Sequence, residues 1–259
     1  MLIVIDIGNT NTVCGLYQYP QTSHSTLVAT FRFETSRQKT TDEYIVLIQQ
    51  LLALHQQSTC KIQHAIIASV VPPLTPVFAQ VCAQSFLTQA LIVDHELCAD
   101  MPILCDQPKE VGADRIVNAI AAFSLYQQSV IVVDLGTATT FDVISQYGEY
   151  LGGAIVPGIG ISLDALFSRT SKLPRIDFAR PSSVIGKNTT NAIQAGLFYG
   201  YVGLIDSLVL KIQQELGQKT RVIATGGLAR LVASDSKTIE ECQEFLTLNG
   251  LQIIWKKYH

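Results

Sequence analysis

The chain has 259 residues, 48% of them apolar and only 15% charged where an ordinary soluble domain carries about 25%, with a mean hydropathy of +0.29 and a net charge of −3. That composition excludes disorder, and the absence of any Lys/Arg cluster argues against nucleic acid as a partner. The charge-free stretch Asn188 to Ile205 opens on polar residues and is broken by glycines, and Met1-Leu2-Ile3-Val4-Ile5-Asp6 has no basic lead, so the expectation is a cytoplasmic protein with a small partner and no membrane contact.

Residues 2 to 7 form a β-branched run, Gly8-Asn9-Thr10-Asn11 reads as a turn, and runs at 13 to 17 and 27 to 33 complete three antiparallel strands. The period then changes. Thr40-x-x-Glu43 is a capping box, and Ile45, Leu47, Ile48, Leu51, Leu52 and Leu54 follow at helical spacing, predicting a helix over 41 to 56. A buried strand over Ala65 to Val71 stops at Pro72-Pro73, a helix is predicted over Leu74 to Gln89, a strand over Ala90 to Val93, and a helix from Val111 to Gln127. Val130 to Val133 begins another strand that ends in Asp134.

There the chain repeats itself. Val4-Ile5-Asp6-Ile7-Gly8-Asn9-Thr10-Asn11-Thr12 lies over Val132-Val133-Asp134-Leu135-Gly136-Thr137-Ala138-Thr139-Thr140, sharing Val, Asp, Gly and the last Thr, and the second copy begins close to mid-chain. A strand end and a turn in both copies predicts a duplicated domain. The second half adds strands at 139 to 145, 150 to 156 and 221 to 225, helices at 161 to 169, 189 to 216 and 228 to 232, and the loop Pro157-Gly158-Ile159-Gly160, which reads either as a strand-to-helix turn or as a segment that closes on substrate.

An Asp at a strand end followed by a small-residue turn suits a phosphate site: Gly8 admits backbone, Asn9, Thr10 and Thr12 supply donors, and Asp6 holds a divalent cation directly or through water. For one copy alone a plain tight turn explains the residues equally well. Two copies, joined by the strand-Thr225-Gly226-Gly227-helix element, suggest a three-part ATP site. P-loop and dinucleotide readings fail on spacing, because Asn188 follows Gly186-Lys187 and Leu163 stands where a dinucleotide fingerprint has Gly. The six cysteines form no C-x-x-C pair and read as small buried or half-buried thiols rather than as a metal or disulfide framework.

The arrangement resembles the actin, Hsp70 and sugar-kinase superfamily. More narrowly, Asp6-Ile-Gly-Asn-Thr-Asn11, Glu110-Val-Gly-Ala-Asp114-Arg115-Ile-Val-Asn118, Asp134-Leu-Gly-Thr-Ala-Thr-Thr140, Gly152-Gly-Ala-Ile-Val-Pro-Gly158, Gly186-Lys-Asn-Thr189 and Ala224-Thr-Gly-Gly227 occur in the order of type III pantothenate kinase, over nearly the whole chain. The resemblance implies an α/β fold of duplicated actin-like (ribonuclease H-like) ATPase domains with mixed five-stranded sheets flanked by helices, a domain over 1–117 and another over 118–259, and an ATP cleft between them. It implies transfer of the ATP γ-phosphoryl group to the primary hydroxyl of pantothenate, giving 4'-phosphopantothenate in the first step of coenzyme A synthesis. A homodimer is implied, as are Mg2+ with ATP and a monovalent cation, K+ or NH4+.

Carried onto this sequence, the resemblance makes Asp114 the catalytic base. Gly112, Ala113, Asp114, Arg115 and Thr189 would bind pantothenate, and Asp6, Ile7, Gly8, Asn9, Thr10, Asn11, Thr12, Val13 and Thr137 would contact ATP. Asp134 would hold the monovalent cation and Asp6 the divalent one. Phosphoryl transfer is mostly positioning and charge neutralisation, so these residue types suffice, and Arg115 is a natural fork for the pantothenate carboxylate. One position departs from the family pattern: Cys105 stands where a substrate-lining tyrosine is usual, with Tyr126 or Tyr199 as alternative fillers. A non-catalytic regulatory relative and a phosphatase or ATPase of the same fold are the competing readings; the first needs no base at Asp114, and the second would release phosphate without pantothenate. The resemblance suggests where the low charge goes: two domains enclosing a cleft, and a dimer contact that includes the 189 to 216 helix and its Gly196-Leu197-Phe198-Tyr199-Gly200-Tyr201 stretch, would remove apolar surface from water.

Overall fold

The computed structural model describes residues 1–18, 25–57, 59–98, 100–170 and 173–258, without the side chain of Cys60. Contacts divide the chain into one unit of Met1–Pro102, Asp106–Ala121 and Leu246–His259 and another of Ile103–Cys105 and Ala122–Phe245.

The first unit is built on β1 (Leu2–Ile7), β2 (Asn11–Gln18), β3 (Thr26–Glu34), β4 (His64–Ser69) and β5 (Ala90–Ile92), in the sheet order β3-β2-β1-β4-β5. β1 pairs antiparallel with β2 and parallel with β4, so it is central and apolar on both faces. Alternation sends Ile3, Ile5 and Ile7 into the core formed with α1 (Thr41–Leu54) and α2 (Thr75–Phe86). The same alternation turns Leu2, Val4 and Asp6 to the other face. The predicted capping box is present: Thr40 N–H donates to Glu43 Oε2 at 2.8 Å and Glu43 N–H to Thr40 Oγ1 at 3.4 Å. Tyr44 and Phe78 meet at 4.6 Å between ring centroids in the middle of this core.

The second unit repeats the plan with β6 (Val130–Leu135), β7 (Ala138–Ile144), β8 (Tyr150–Pro157), β9 (Arg221–Thr225) and β10 (Glu241–Cys242), in the order β10-β9-β6-β7-β8. Taking β6 for β1, β7 for β2, β8 for β3, β9 for β4 and β10 for β5 maps one sheet on the other, with the same antiparallel and parallel pairings. The duplication read from the two Asp-x-Gly segments is thus a duplication of topology. One detail of the overlay is corrected: β1 and β2 pair Ile7 with Thr12, whereas β6 and β7 pair Leu135 with Thr139, so the second turn is a residue shorter and Thr139, not Thr140, corresponds to Thr12.

Helix α3 (Ala113–Tyr126) follows the first sheet; α4 (Ile159–Ser168), α5 (Thr189–Leu216) and α6 (Ala229–Ala233) belong to the second unit. α5 starts at Asn188, whose side chain accepts from Asn191 N–H at 2.8 Å, and stops at Gly217 with φ +66°. Its stripe Phe198, Val202, Ile205 and Val209 is part of the second core. By length and composition α5 is the one helix among the described residues long and apolar enough to cross a membrane, and a third of its most apolar window is buried, as in the core helix of a folded domain.

The last helix, α7 (Leu246–Lys257), and the short β10 were missed by the pattern of the sequence. α7 packs on β1, β2 and β4, so the structure groups the C-terminal residues with the first unit rather than with a domain over 118–259. Burial raises the Cys14 thiol, pushes Cys82 up to about 12 and Cys98 up to about 11, so these thiols stay protonated as expected of inert core residues.

Candidate active site

In the first unit the chain approaches α3 through a turn at Pro108–Glu110 and extended Val111. The Gly112 carbonyl then accepts from Arg115 N–H at 3.1 Å and Ile116 N–H at 3.2 Å, opening the helix. Asp114 lies in the first turn, where a carboxylate is favoured by the helix dipole, and its Oδ1 accepts from Arg115 N–H at 2.8 Å. A Cβ on Gly112 would lie 2.5 Å from that same oxygen and 3.5 Å from Val70 Cγ1. Gly112 is therefore the residue that leaves room for the carboxylate. Val70 N–H donates to Ile7 O at 3.0 Å, which ties the Asp114 helix start to the carboxyl end of β1, the end of a strand at which α/β sheets bind ligands.

The first turn is set by Gly8 N–H donating to Asn11 O at 3.1 Å. Asp6 and Gly8 are half-buried, and Asn9, Thr10 and Asn11 are exposed. Ile7 and Thr12 are buried, and Thr12 Oγ1 is 2.9 Å from Thr35 Oγ1. Val13, half-buried, pairs across the strands with Asp6.

In the second unit Asp134 is the last residue but one of β6, pairing with Thr140 of β7 and Thr225 of β9. Gly136 N–H donates to Ala138 O at 3.1 Å to close the turn that exposes Thr137. Gly158 N–H donates to Thr137 O at 3.1 Å, and a Cβ there would lie 2.2 Å from that oxygen. The Pro157–Gly160 segment is thus a strand-to-helix turn seated on the second Asp-x-Gly loop, with Tyr201 Oη donating to Pro157 O at 2.8 Å. Gly226, at φ +94°, would place a Cβ 2.6 Å from Leu135 O and 2.7 Å from Asp134 Oδ1. Gly226 therefore makes room for Asp134. Gly226→Ala should lower both stability and turnover, the strain at positive φ adding about 1–2 kcal/mol to the displacement of Leu135 and Asp134. Gly217→Ala is the control: its φ is also positive but nothing lies within 4 Å, so melting temperature should fall with turnover kept.

Thr189, exposed, is the first residue of α5, and Gly186 brings the preceding loop so close that a Cβ would lie 2.2 Å from Ala192 N. Cys105 belongs to the second unit, its sulfur 3.6 Å from the Cβ place of Gly152. Both proposed fillers have partners within the second unit. Tyr126 Oη donates to Glu241 Oε2 at 2.9 Å beneath the Arg221 guanidinium, 4.3 Å from its ring centroid, while Tyr199 packs edge-on to Phe198. The tyrosine beside this segment is Tyr150, whose carbonyl accepts from Leu104 N–H at 2.8 Å.

Residues 2–211 match the model of a family described as type III pantothenate kinase. A type III pantothenate kinase of Geobacter sulfurreducens is 51% identical over 257 residues, covering 99% of each chain, and one of Myxococcus xanthus is 49% identical over 259 residues, covering 100% of this chain and 99% of its own. The chain belongs to the type III pantothenate kinase family. Among solved structures, a Campylobacter jejuni protein assigned to the Baf family of transcriptional activators covers 99% of this chain and 98% of its own with TM-score 0.62 at 20% identity. A Sinorhizobium meliloti protein assigned as a 2-dehydro-3-deoxygalactonokinase covers 99% and 96% with TM-score 0.58 at 14% identity. At those identities the likeness is one of fold: two mixed five-stranded sheets in the actin-like, sugar-kinase arrangement.

To the candidate site residues the structure adds a role for Asn118, the last residue of the Glu110–Asn118 motif, one turn after Asp114 in α3. It is buried and its Oδ1 accepts from Thr247 Oγ1 of α7 at 2.7 Å, so the helix that presents Asp114 is braced by the helix the sequence did not reveal.

Proposed function

We propose that this pantothenate kinase carries out ATP-dependent phosphorylation of pantothenate, the first step of coenzyme A synthesis, with Asp114 as the general base. Family membership over the whole chain carries the activity. The Asp114 carboxylate, half-buried and held at a helix start against Gly112, supports the residue's role. In this reading Asp114 takes the proton of the pantothenate primary hydroxyl as its oxygen attacks the γ-phosphorus and the bond to the β-phosphate oxygen breaks. Arg115, with Gly112, Ala113 and Thr189, binds pantothenate and fixes its hydroxyl at Asp114. Asp6 to Val13 and Thr137 bind ATP, chiefly through turn backbone and the exposed Asn9, Thr10 and Asn11.

The donors fit the cations the family implies. Asp134 Oδ1 and the Leu135 carbonyl oxygen both border the place a Cβ would fill at Gly226, a set of hard oxygen atoms suited to potassium or ammonium. Asp6 is a single carboxylate, enough for a Mg2+ held mainly by phosphates and water. When bound, these cations neutralise charge on the phosphates. Asp134→Asn should weaken the response of the rate to potassium, and a potassium titration matching the parent's would remove Asp134 from that role.

We further infer a cytoplasmic homodimer whose contact includes the outer side of α5, where Gly196, Gly200 and Gly203 have nothing within 4 Å of their Cβ places. Sedimentation should give about twice the 28.3 kDa chain mass; an active monomer at micromolar concentration would contradict it. The assay that tests the activity is purified protein with ATP, magnesium, potassium and labelled pantothenate; no labelled phosphopantothenate would overturn the reading.

A further inference from the structure

Asp142 is the only buried charged side chain among the described residues, and the chemistry above leaves it unused. Its Oδ1 accepts from Tyr150 Oη at 2.6 Å and its Oδ2 from Thr140 Oγ1 at 2.9 Å. Burying a carboxylate costs several kcal/mol before its hydrogen bonds are counted, and apolar replacements of similar volume are often no worse for a fold. The sheet therefore has little to gain from Asp142 as a packing residue.

Its place suggests what it does. Thr140 stands directly opposite Asp134 across β6 and β7, which puts the two Cβ atoms roughly 4.5–5.5 Å apart on one face, and Asp142 follows two residues later on that face. A threonine hydroxyl has one proton. Here it is donated to Asp142 and is not spent on the carboxylate across the strand, so the Thr140 oxygen presents lone pairs. Asp142 also adds a second negative charge on the face that carries Asp134, which favours a bound cation.

We propose that Asp142 is a positioning residue for the monovalent-cation site at Asp134, acting through Thr140. This rests on the reading that Asp134 holds the cation. Asp142→Asn keeps an oxygen for Tyr150 but turns an amide N–H on Thr140, reversing that bond and releasing the Thr140 proton toward Asp134.

The test is a potassium titration read in two ways, as kinase rate and as the rise in melting temperature, with tetramethylammonium chloride holding ionic strength constant. For Asp142→Asn the half-saturating potassium should rise about tenfold in both readouts, with a smaller change in kcat at saturating potassium, as found when partners of metal ligands are altered. Thr140→Val should shift in the same direction and Thr140→Ser should recover most of the loss, so the pair decides the matter even if Asp142→Asn fails to fold. A lowered melting temperature with unchanged half-saturating potassium would make Asp142 a structural residue and overturn the proposal. Should Asp134→Asn lose the potassium response while Asp142→Asn and Thr140→Val titrate like the parent, the proposal alone falls. Should Asp134→Asn titrate like the parent, the cation reading falls and takes the proposal with it.

Discussion

Asp114→Asn should fold as the parent does and lose about 10² to 10⁴ in kcat, the usual worth of a positioned general base. That range corresponds to roughly 3–5.5 kcal/mol of activation free energy. The fold is expected to survive because the bond that seats the side chain at the helix start asks only for an acceptor. Its Oδ1 takes the Arg115 N–H, which an amide oxygen also does, and Asn is the same size against Gly112 and Val70. The stability difference is confined to the charge at a helix start, about 0.3–1 kcal/mol at a partly exposed site. What Asn cannot do is take a proton from an alcohol. Because the proposed site holds ATP, and most of pantothenate, through residues other than Asp114, KM values should move far less than kcat, and single-turnover rates should fall in parallel with kcat. A variant with normal turnover would remove Asp114 from the reaction and would return the non-catalytic reading of the fold to contention.

The elements with strong local signals were legible. The Leu2–Ile7 run, the Thr40–Glu43 capping box and the Asn188-to-Gly217 helix each announce themselves through residues close in sequence. The two aspartate turns were legible because they repeat, yet their true register was not, since a turn shortened by one residue leaves Thr12 opposite Ile7 and Thr139 opposite Leu135 while an ungapped overlay still finds a threonine. The glycines near the carboxylates were visible as glycines but not as the space-makers they are. Gly112 makes room for the side chain two residues on, and Gly226 for backbone and a carboxylate some 90 residues earlier, contacts that exist only after folding. Asp142 was hidden for a related reason. Thr140-Phe141-Asp142-Val143 alternates like a strand with one wet face, and only Tyr150 and its neighbours show that this face is dry.

Asn249-Gly250, a dipeptide that elsewhere favours tight turns, lies inside α7. A Cβ at Gly250 would lie 2.4 Å from the Val117 carbonyl oxygen and 2.7 Å from Val117 Cγ1. Glycine is there so that α7 can cross α3 at backbone contact. Gly250→Ala should therefore destabilise despite the roughly 1 kcal/mol by which alanine is the better helix former. Overpacking of this kind costs about 1–3 kcal/mol, and more where the obstacle is backbone rather than a side chain that can turn away. A net loss of about 2 kcal/mol would lower the melting temperature by roughly 4–8 °C in a chain of this size. Turnover should fall as well, since Val117 and Asn118 lie on the turn after Asp114 and the Thr247–Asn118 bond fixes the two helices in register. Two controls separate crossing from chemistry. Asn249→Ala removes the bond from Tyr17 Oη at 2.7 Å without touching the crossing, and should cost stability but little activity. Gly160→Ala makes the same substitution in α4, where nothing lies within 4 Å, and should cost neither. If Gly250→Ala matched Gly160→Ala in both melting temperature and rate, α7 would not be the brace that holds the Asp114 helix.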